Sequence, residues 1–149
     1  APIDPAALME EIVDLYGPVV EDAGMRFEVA IDAHPPHIVL HRELMTQAIA
    51  NLIDNALRHA AQGEEIQLGL VIGPDEARFQ VADRGPGIAE ADRAQALRRF
   101  GRLDVARSVP GAGLGMALVE AVARLHGGRL ELGDHAPGLI VAIVIPLTA

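Results

Sequence analysis

Apolar periodicity switches repeatedly between the helical and the strand period along this chain, and that switching restricts it to a mixed α/β layer arrangement. From Asp4 to about Gly24, Leu8, Ile12, Leu15 and Val19 recur at helical spacing, with Asp4 placed to cap the helix ahead of Pro5. Met25 to Ile31 alternates apolar and mostly polar residues and predicts a half-buried strand. Pro35-Pro36 breaks the chain, a short strand follows over His37 to Leu40, and a long helix runs from Arg42 to about Ala61. Glu65 to Ile72 and Glu76 to Asp83 read as two strands joined by a Gly73-Pro74-Asp75 turn. Beyond Gly85-Pro86-Gly87 the pattern gives a short helix over Glu90 to Arg99 and an aperiodic loop from Phe100 to Gly113. A last helix, Leu114 to His126, is stopped by Gly127-Gly128. Arg129 to Leu132 and Leu139 to Ile145 then close the chain as a hairpin. Residues 1–149 thus form one domain, a two-layer α/β sandwich. Its mixed, mostly antiparallel sheet has about five strands, with three main helices on one face.

Composition limits what such a sandwich can do. Half of the residues are hydrophobic but only one Tyr and three Phe are aromatic, so the core is aliphatic. The net charge of −9 argues against a nucleic-acid or anionic-membrane surface. Every basic residue is Arg, so a phosphate loop of the GK[ST] type is excluded. With no cysteine, disulfides, thiolate chemistry and Cys-ligated zinc are excluded too. No run approaches the length of a membrane span, and the Ala1-Pro2-Ile3 start without Met reads as a fragment of a longer protein.

Three clusters carry chemistry. On the long helix, Met45, Ile49, Leu52, Ile53, Ala56 and Ala60 form an apolar stripe, while Gln47, Asn51, Asn55 and Arg58 share another face. Asn is a poor helix former, so two Asn one turn apart need partners other than water. Either the amides bond to neighbouring loops, or Asn55 offers its oxygen to a hard cation such as Mg²⁺. In Asp83-Arg84-Gly85-Pro86-Gly87, Asp83 is in phase with core-facing Phe79 and Val81. A carboxylate there is costly unless satisfied, by its own turn or by a neutral donor such as an adenine amino group. The third cluster, Gly111-Ala112-Gly113-Leu114-Gly115, opens a helix and follows Arg102 and Arg107. Free N–H groups and the positive end of the helix dipole make it a plausible phosphate cradle. Its spacing and the lack of a preceding strand rule out a dinucleotide-binding fingerprint.

Taken in order, these clusters resemble the sequence boxes of sensor histidine kinases. Asn51-Leu52-Ile53-Asp54-Asn55-Ala56-Leu57-Arg58-His59 is similar to the N box, and Asp83-x-Gly85-x-Gly87 to the G1 box. Phe100-Gly101-Arg102 is similar to the F box, and Gly111-x-Gly113-Leu114-Gly115 to the G2 box. The resemblance covers nearly the whole chain and implies the Bergerat ATP-binding sandwich shared with gyrase-type, mismatch-repair and chaperone ATPases.

The resemblance also implies roles. Asp83 accepts the adenine amino group, with Gly85, Gly87 and Ile88 shaping the pocket. Asn55 holds Mg²⁺, Asn51 lies close to the phosphates, and His59 packs by the adenine. Arg58, where the family often has Lys, meets a phosphate as a fork. Arg102 and Arg107 belong to a mobile lid over the triphosphate spanning residues 100–113, and Gly111, Gly113, Leu114 and Gly115 contribute to binding the nucleotide. The implied cofactors are ATP and Mg²⁺. The implied partners are a separate histidine phosphoacceptor domain and, through the full protein, a response regulator, with no direct nucleic-acid or membrane contact. The domain itself is expected in the cytoplasm, under a parent kinase in the inner membrane.

Departures refine this expectation. Hydrolysing relatives carry Glu where this chain has Asn51, and an amide cannot take a proton from water, so intrinsic ATP hydrolysis should be weak. None of the six His has an acidic neighbour in a helical-hairpin context, so the domain should not phosphorylate itself. His34, His37 and His41 have spacings a metal could use, but two prolines intervene and no fourth ligand is evident. The competing readings are an anti-sigma-factor-like serine kinase, against which Asn51 counts, and a degenerate binding module of the same fold.

Overall fold

A computed structural model describes residues 2–33, 35–59, 64–83, 112–134 and 139–147. In chain order these form β1 (Pro2–Ile3), α1 (Pro5–Asp22), β2 (Arg26–Ile31), β3 (Ile38–Val39), α2 (Arg42–His59) and β4 (Glu65–Ile72). They continue with β5 (Glu76–Ala82), α3 (Ala112–Leu125), β6 (Arg129–Asp134) and β7 (Leu139–Pro146). The main sheet has the order β2-β4-β5-β7-β6; β2 and β4 run parallel and every other pair is antiparallel. The expected two-layer α/β sandwich with five strands and three helices is therefore present. The short helix expected over Glu90 to Arg99 lies outside the described residues.

Local chemistry sets the helix ends. Asp4 caps α1, its Oδ1 accepting from the Ala6 N–H at 2.9 Å, with Pro5 in the first turn. Its other end closes in a Schellman motif. Gly24, at φ 81°, donates to the Glu21 carbonyl at 2.9 Å, and Met25 donates to the Val20 carbonyl at 3.2 Å. The last helix repeats the device: Gly127, at φ 75°, donates to Arg124 and Gly128 to Ala123, both at 2.9 Å.

The core fills the space between the helices and one face of the sheet. Leu8, Met9 and Ile12 of α1, Met45, Ile49, Leu52 and Ile53 of α2, and Val119 and Val122 of α3 meet Ile66, Leu68, Phe79, Val141 and Ile143. One expectation needs correcting here. Leu15 and Val19 are not part of the buried stripe; they are 63% and 44% exposed, while Met9 and Val20 are buried. The buried row descends Leu8-Ile12-Tyr16-Val20 in steps of four. Steps of three and four are both helical, so sequence spacing could not decide on which side of Ile12 the contact continues. The short strand expected over His37 to Leu40 is present as β3, and its pairing with β1, which the sequence did not suggest, accompanies burial of Ile38 in the core.

Among the described residues no helix covers the other face of the sheet, yet Ala142 and Val144 of β7 are fully buried on it. Arginines explain this. Arg129 on β6 reaches over β7 to Glu76 on β5 at 2.7 Å, and Arg78 on β5 reaches back to Glu131 on β6 at 2.9 Å. Arg129 also holds Glu131 at 2.7 Å, closing an arch whose aliphatic stems cover β7. Burial alone would raise the Glu131 carboxyl, but hydrogen bonds from Arg129 and Arg78, with their charges, hold it below the usual carboxylate range.

Candidate functional site

The helix α2 presents the polar face expected of it. Asn51 and Asn55 are half-buried, Gln47 and Arg58 exposed, and the neighbouring Ala48, Ile49, Leu52, Ile53 and Ala56 are buried. The helix is thus anchored on one side and leaves its two amides at the boundary between core and surface. His59 is its last residue, and the expected extension to Ala61 lies outside the described residues.

Asp83 follows the last residue of β5 and is only 5% exposed, as its phase with buried Phe79 and Val81 required. Its N–H donates to the Leu139 carbonyl at 3.0 Å, continuing the β5–β7 ladder by one residue and fixing the backbone that aims the carboxylate. Among the described residues Glu65 is the other buried charged side chain. Arg26 pairs with it at 3.2 Å and the Gln67 amide donates to it at 2.9 Å.

The glycine cluster begins its helix earlier than expected. Because α3 starts at Ala112, Gly113 joins Leu114 and Gly115 inside its first turn rather than lying ahead of it. First-turn N–H groups have no intrahelical partner, so glycine there sacrifices little and leaves the backbone approachable. Gly85, Gly87, Ile88, Arg102, Arg107 and Gly111 lie outside the described residues.

A groove of about 470 Å³ between α1 and α2, not foreseen from the sequence, is lined by Tyr16, Thr46, Gln47, Asn51 and Asp54. The Glu11–Arg42 ion pair at 2.6 Å belongs to the same wall, and Asn51 is shared between the groove and the polar face of α2. Among the described residues, no three His, Cys, Asp or Glu side chains gather as a metal site, and no helix is long and apolar enough to cross a membrane. Of the three histidines weighed for zinc, His34 is outside the described residues, and His37 and His41 are exposed.

Residues 41–149 match the family described as histidine kinase-, DNA gyrase B- and HSP90-like ATPases. The signal transduction histidine-protein kinase/phosphatase MprB of Mycolicibacterium vanbaalenii is 39% identical over 115 residues, covering 76% of this chain and 23% of the relative. This chain therefore spans about a quarter of that relative's length. A solved structure of a mycobacterial sensor histidine kinase MprB superposes with a TM-score of 0.76 at 30% identity, covering 98% of this chain and 96% of the other. Full-length ShkA in complex with AMPPNP superposes with a TM-score of 0.81 at 28% identity, covering 100% of this chain and 31% of the other. A family match over most of the sequence, joined to a fold that superposes along its whole length on kinases of this kind, makes the chain a member of the histidine kinase-, DNA gyrase B- and HSP90-like ATPases, of the sensor-histidine-kinase type.

Proposed function

We propose that this domain binds Mg-ATP and delivers the γ-phosphoryl group to a histidine on a separate phosphoacceptor domain of the same kinase. The observation that carries the reading is Asp83, a carboxylate almost fully buried at a strand end whose backbone is held by the ladder. An acceptor buried at a strand end would select a neutral donor, and an adenine amino group has that chemistry. Full-length ShkA, solved in complex with AMPPNP, supports the choice of an adenine nucleotide.

Asn51, Asn55 and Arg58 share one face of α2, which suits a nucleotide lying along that helix. Asn55 supplies an oxygen to Mg²⁺, and the donor set fits: with no cage of carboxylates among the described residues, the ion would be held mainly by phosphates and water. When bound, the ion neutralises charge on the phosphates. Arg58, Arg102 and Arg107 add forked donors to phosphate oxygens, and the first turn of α3 adds backbone N–H groups. Gly85, Gly87 and Ile88 line the base, His59 flanks it, and Gly111, Gly113, Leu114 and Gly115 let the backbone close on the triphosphate. Asn51 orients but takes no proton, so the attacking nucleophile comes from the acceptor domain. The parent is then a sensor kinase at the inner membrane, with this domain on the cytoplasmic side and a response regulator downstream.

Calorimetric titration of Mg-ATP into the wild-type domain and Asp83→Asn tests this. Losing a charge-assisted hydrogen bond should weaken binding by about 10- to 100-fold. Equal affinity in both proteins would remove Asp83 from the base pocket, and no binding by either would leave a degenerate interaction module.

A further inference from the structure

His41 and His126 lie outside the clusters that face nucleotide, yet they join the two helices that carry those clusters. His126 directly follows α3 and enters the Gly127-Gly128 Schellman turn that closes the helix. Its Nδ1 lies 2.7 Å from the Val122 carbonyl and its Nε2 lies 2.9 Å from the His41 nitrogen. A backbone N–H can only donate, so Nε2 holds a lone pair and the proton sits on Nδ1, donated to Val122. His41 in turn is the N-cap of α2. Its carbonyl accepts from the Met45 N–H at 2.9 Å and its Nδ1 accepts from the Leu44 N–H at 3.3 Å.

This tie joins the C-terminus of α3 to the N-terminus of α2. The two helices pack on each other, so they run antiparallel and the tie sets how far each extends past the other. Asn55 follows His41 by fourteen residues, and Ala112, the first residue of α3, precedes His126 by the same fourteen. At 1.5 Å per residue both lie about 21 Å from the tie. The register fixed at one end therefore brings the N-box amide level with the glycine-rich helix entrance at the other.

We propose that His126 is a positioning residue for the nucleotide site, whose neutral imidazole pins the axial register of α2 against α3. The effect on ligand rests on the nucleotide reading above; the register itself does not. A slip of one residue would displace Asn55 from the helix entrance by about 1.5 Å, enough to spoil simultaneous contact with one triphosphate.

The chain has no cysteine, so spin labels can be placed at Gln47→Cys and Arg124→Cys, both exposed, without other changes. His126→Phe fills the volume but makes neither bond. It should shift or broaden the interspin distance by about 1.5 Å and, in unlabelled protein well below its melting temperature, weaken Mg-ATP binding about tenfold. His126→Gln places its amide oxygen where Nε2 stood, so it should restore both values. Should His126→Phe not fold, His126→Asn keeps a donor toward Val122 but no acceptor for His41, and should behave as the loss variant. An unchanged distance in the loss variant, or a Gln variant indistinguishable from it, would overturn the proposal. If the wild type bound no Mg-ATP, the function would fall while the distances still decided the register.

Discussion

Adding one methyl group at Gly128 tests the packing logic of the domain most severely. A Cβ built there would stand 1.9 Å from the Val144 carbonyl oxygen, 2.9 Å from the Val144 carbonyl carbon and 3.1 Å from the Ile145 Cα. Ordinary van der Waals contact begins at 3.4 Å, so backbone must move by about 1.5 Å, and the obstacle is a strand rather than a flexible side chain. That strand, β7, is paired on both edges, with Arg78 and Arg129 opposite Val144, so a shift disturbs two ladders at once. Overpacking a well-packed site costs about 1–3 kcal/mol, and a rigid clash of this depth belongs at or above the top of that range. Gly127 offers a built-in control: it has positive φ, but an added Cβ would meet nothing closer than 3.9 Å. Gly127→Ala should therefore cost only the left-handed backbone penalty, about 1–2 kcal/mol. At about 2–4 °C per kcal/mol for a domain of this size, Gly128→Ala should melt roughly 6–12 °C below wild type. Differential scanning calorimetry of both variants decides the matter. If Gly127→Ala were the more damaging, the argument from close approach would be wrong.

Further outcomes follow from the two faces of the sheet and from α1. Glu131 is held below the ordinary carboxylate range when folded, so its contribution is present at neutral pH and lost as pH falls through that range. Urea titrations should accordingly find wild type more stable than Glu131→Gln near neutrality, with the gap narrowing on acidification; a gap that widened would reverse the assignment. On α1, Leu15→Ser and Val19→Ser should each change stability by less than about 0.5 kcal/mol, whereas Ile12→Ala should cost about 2–5 kcal/mol. Comparable losses at all three positions would restore the stripe through Leu15 and Val19 that the structure rejects.

The parts of the fold that were legible in the sequence are those decided within a few residues. Asp4 before Pro5, and Gly24 and Gly127 past their helices, announce ends that need only local backbone bonds. Asp83 was legible because a strand alternates strictly, so two buried neighbours at even spacing dictated its side. What stayed hidden depends on partners far along the chain. The arch of Arg129, Glu76, Arg78 and Glu131 crosses a strand that lies between its members in space but not in sequence. The spacing of His41 from His34 and His37 suggests at most a metal, because nothing near it points to His126, 85 residues away. The start of α3 was misjudged by two residues because Ala112 and the glycines after it have opposite helix preferences, and the first turn tolerates both.

The distribution of charge bears on how an acidic domain can hold a polyanion. With a net charge of −9, the chain as a whole would repel a triphosphate. Among the described residues Arg26 pairs with Glu65, Arg42 with Glu11, Arg78 and Arg129 with the carboxylates of the sheet arch, and Arg124 with Glu120. These pairs stabilise the scaffold or cover it. Residues 84–107, by contrast, hold six of the twelve arginines against three acidic residues, Glu90, Asp92 and Asp104. That stretch lies in sequence directly between the Asp83 cluster and the glycines that open α3. Local excess therefore matters more than total charge, because screening confines the field of each group to about 8–10 Å. A domain built in this way needs no basic surface to attract ATP. It needs cations concentrated in the one segment that separates Asp83 from the glycines at the start of α3, and the sequence puts them there.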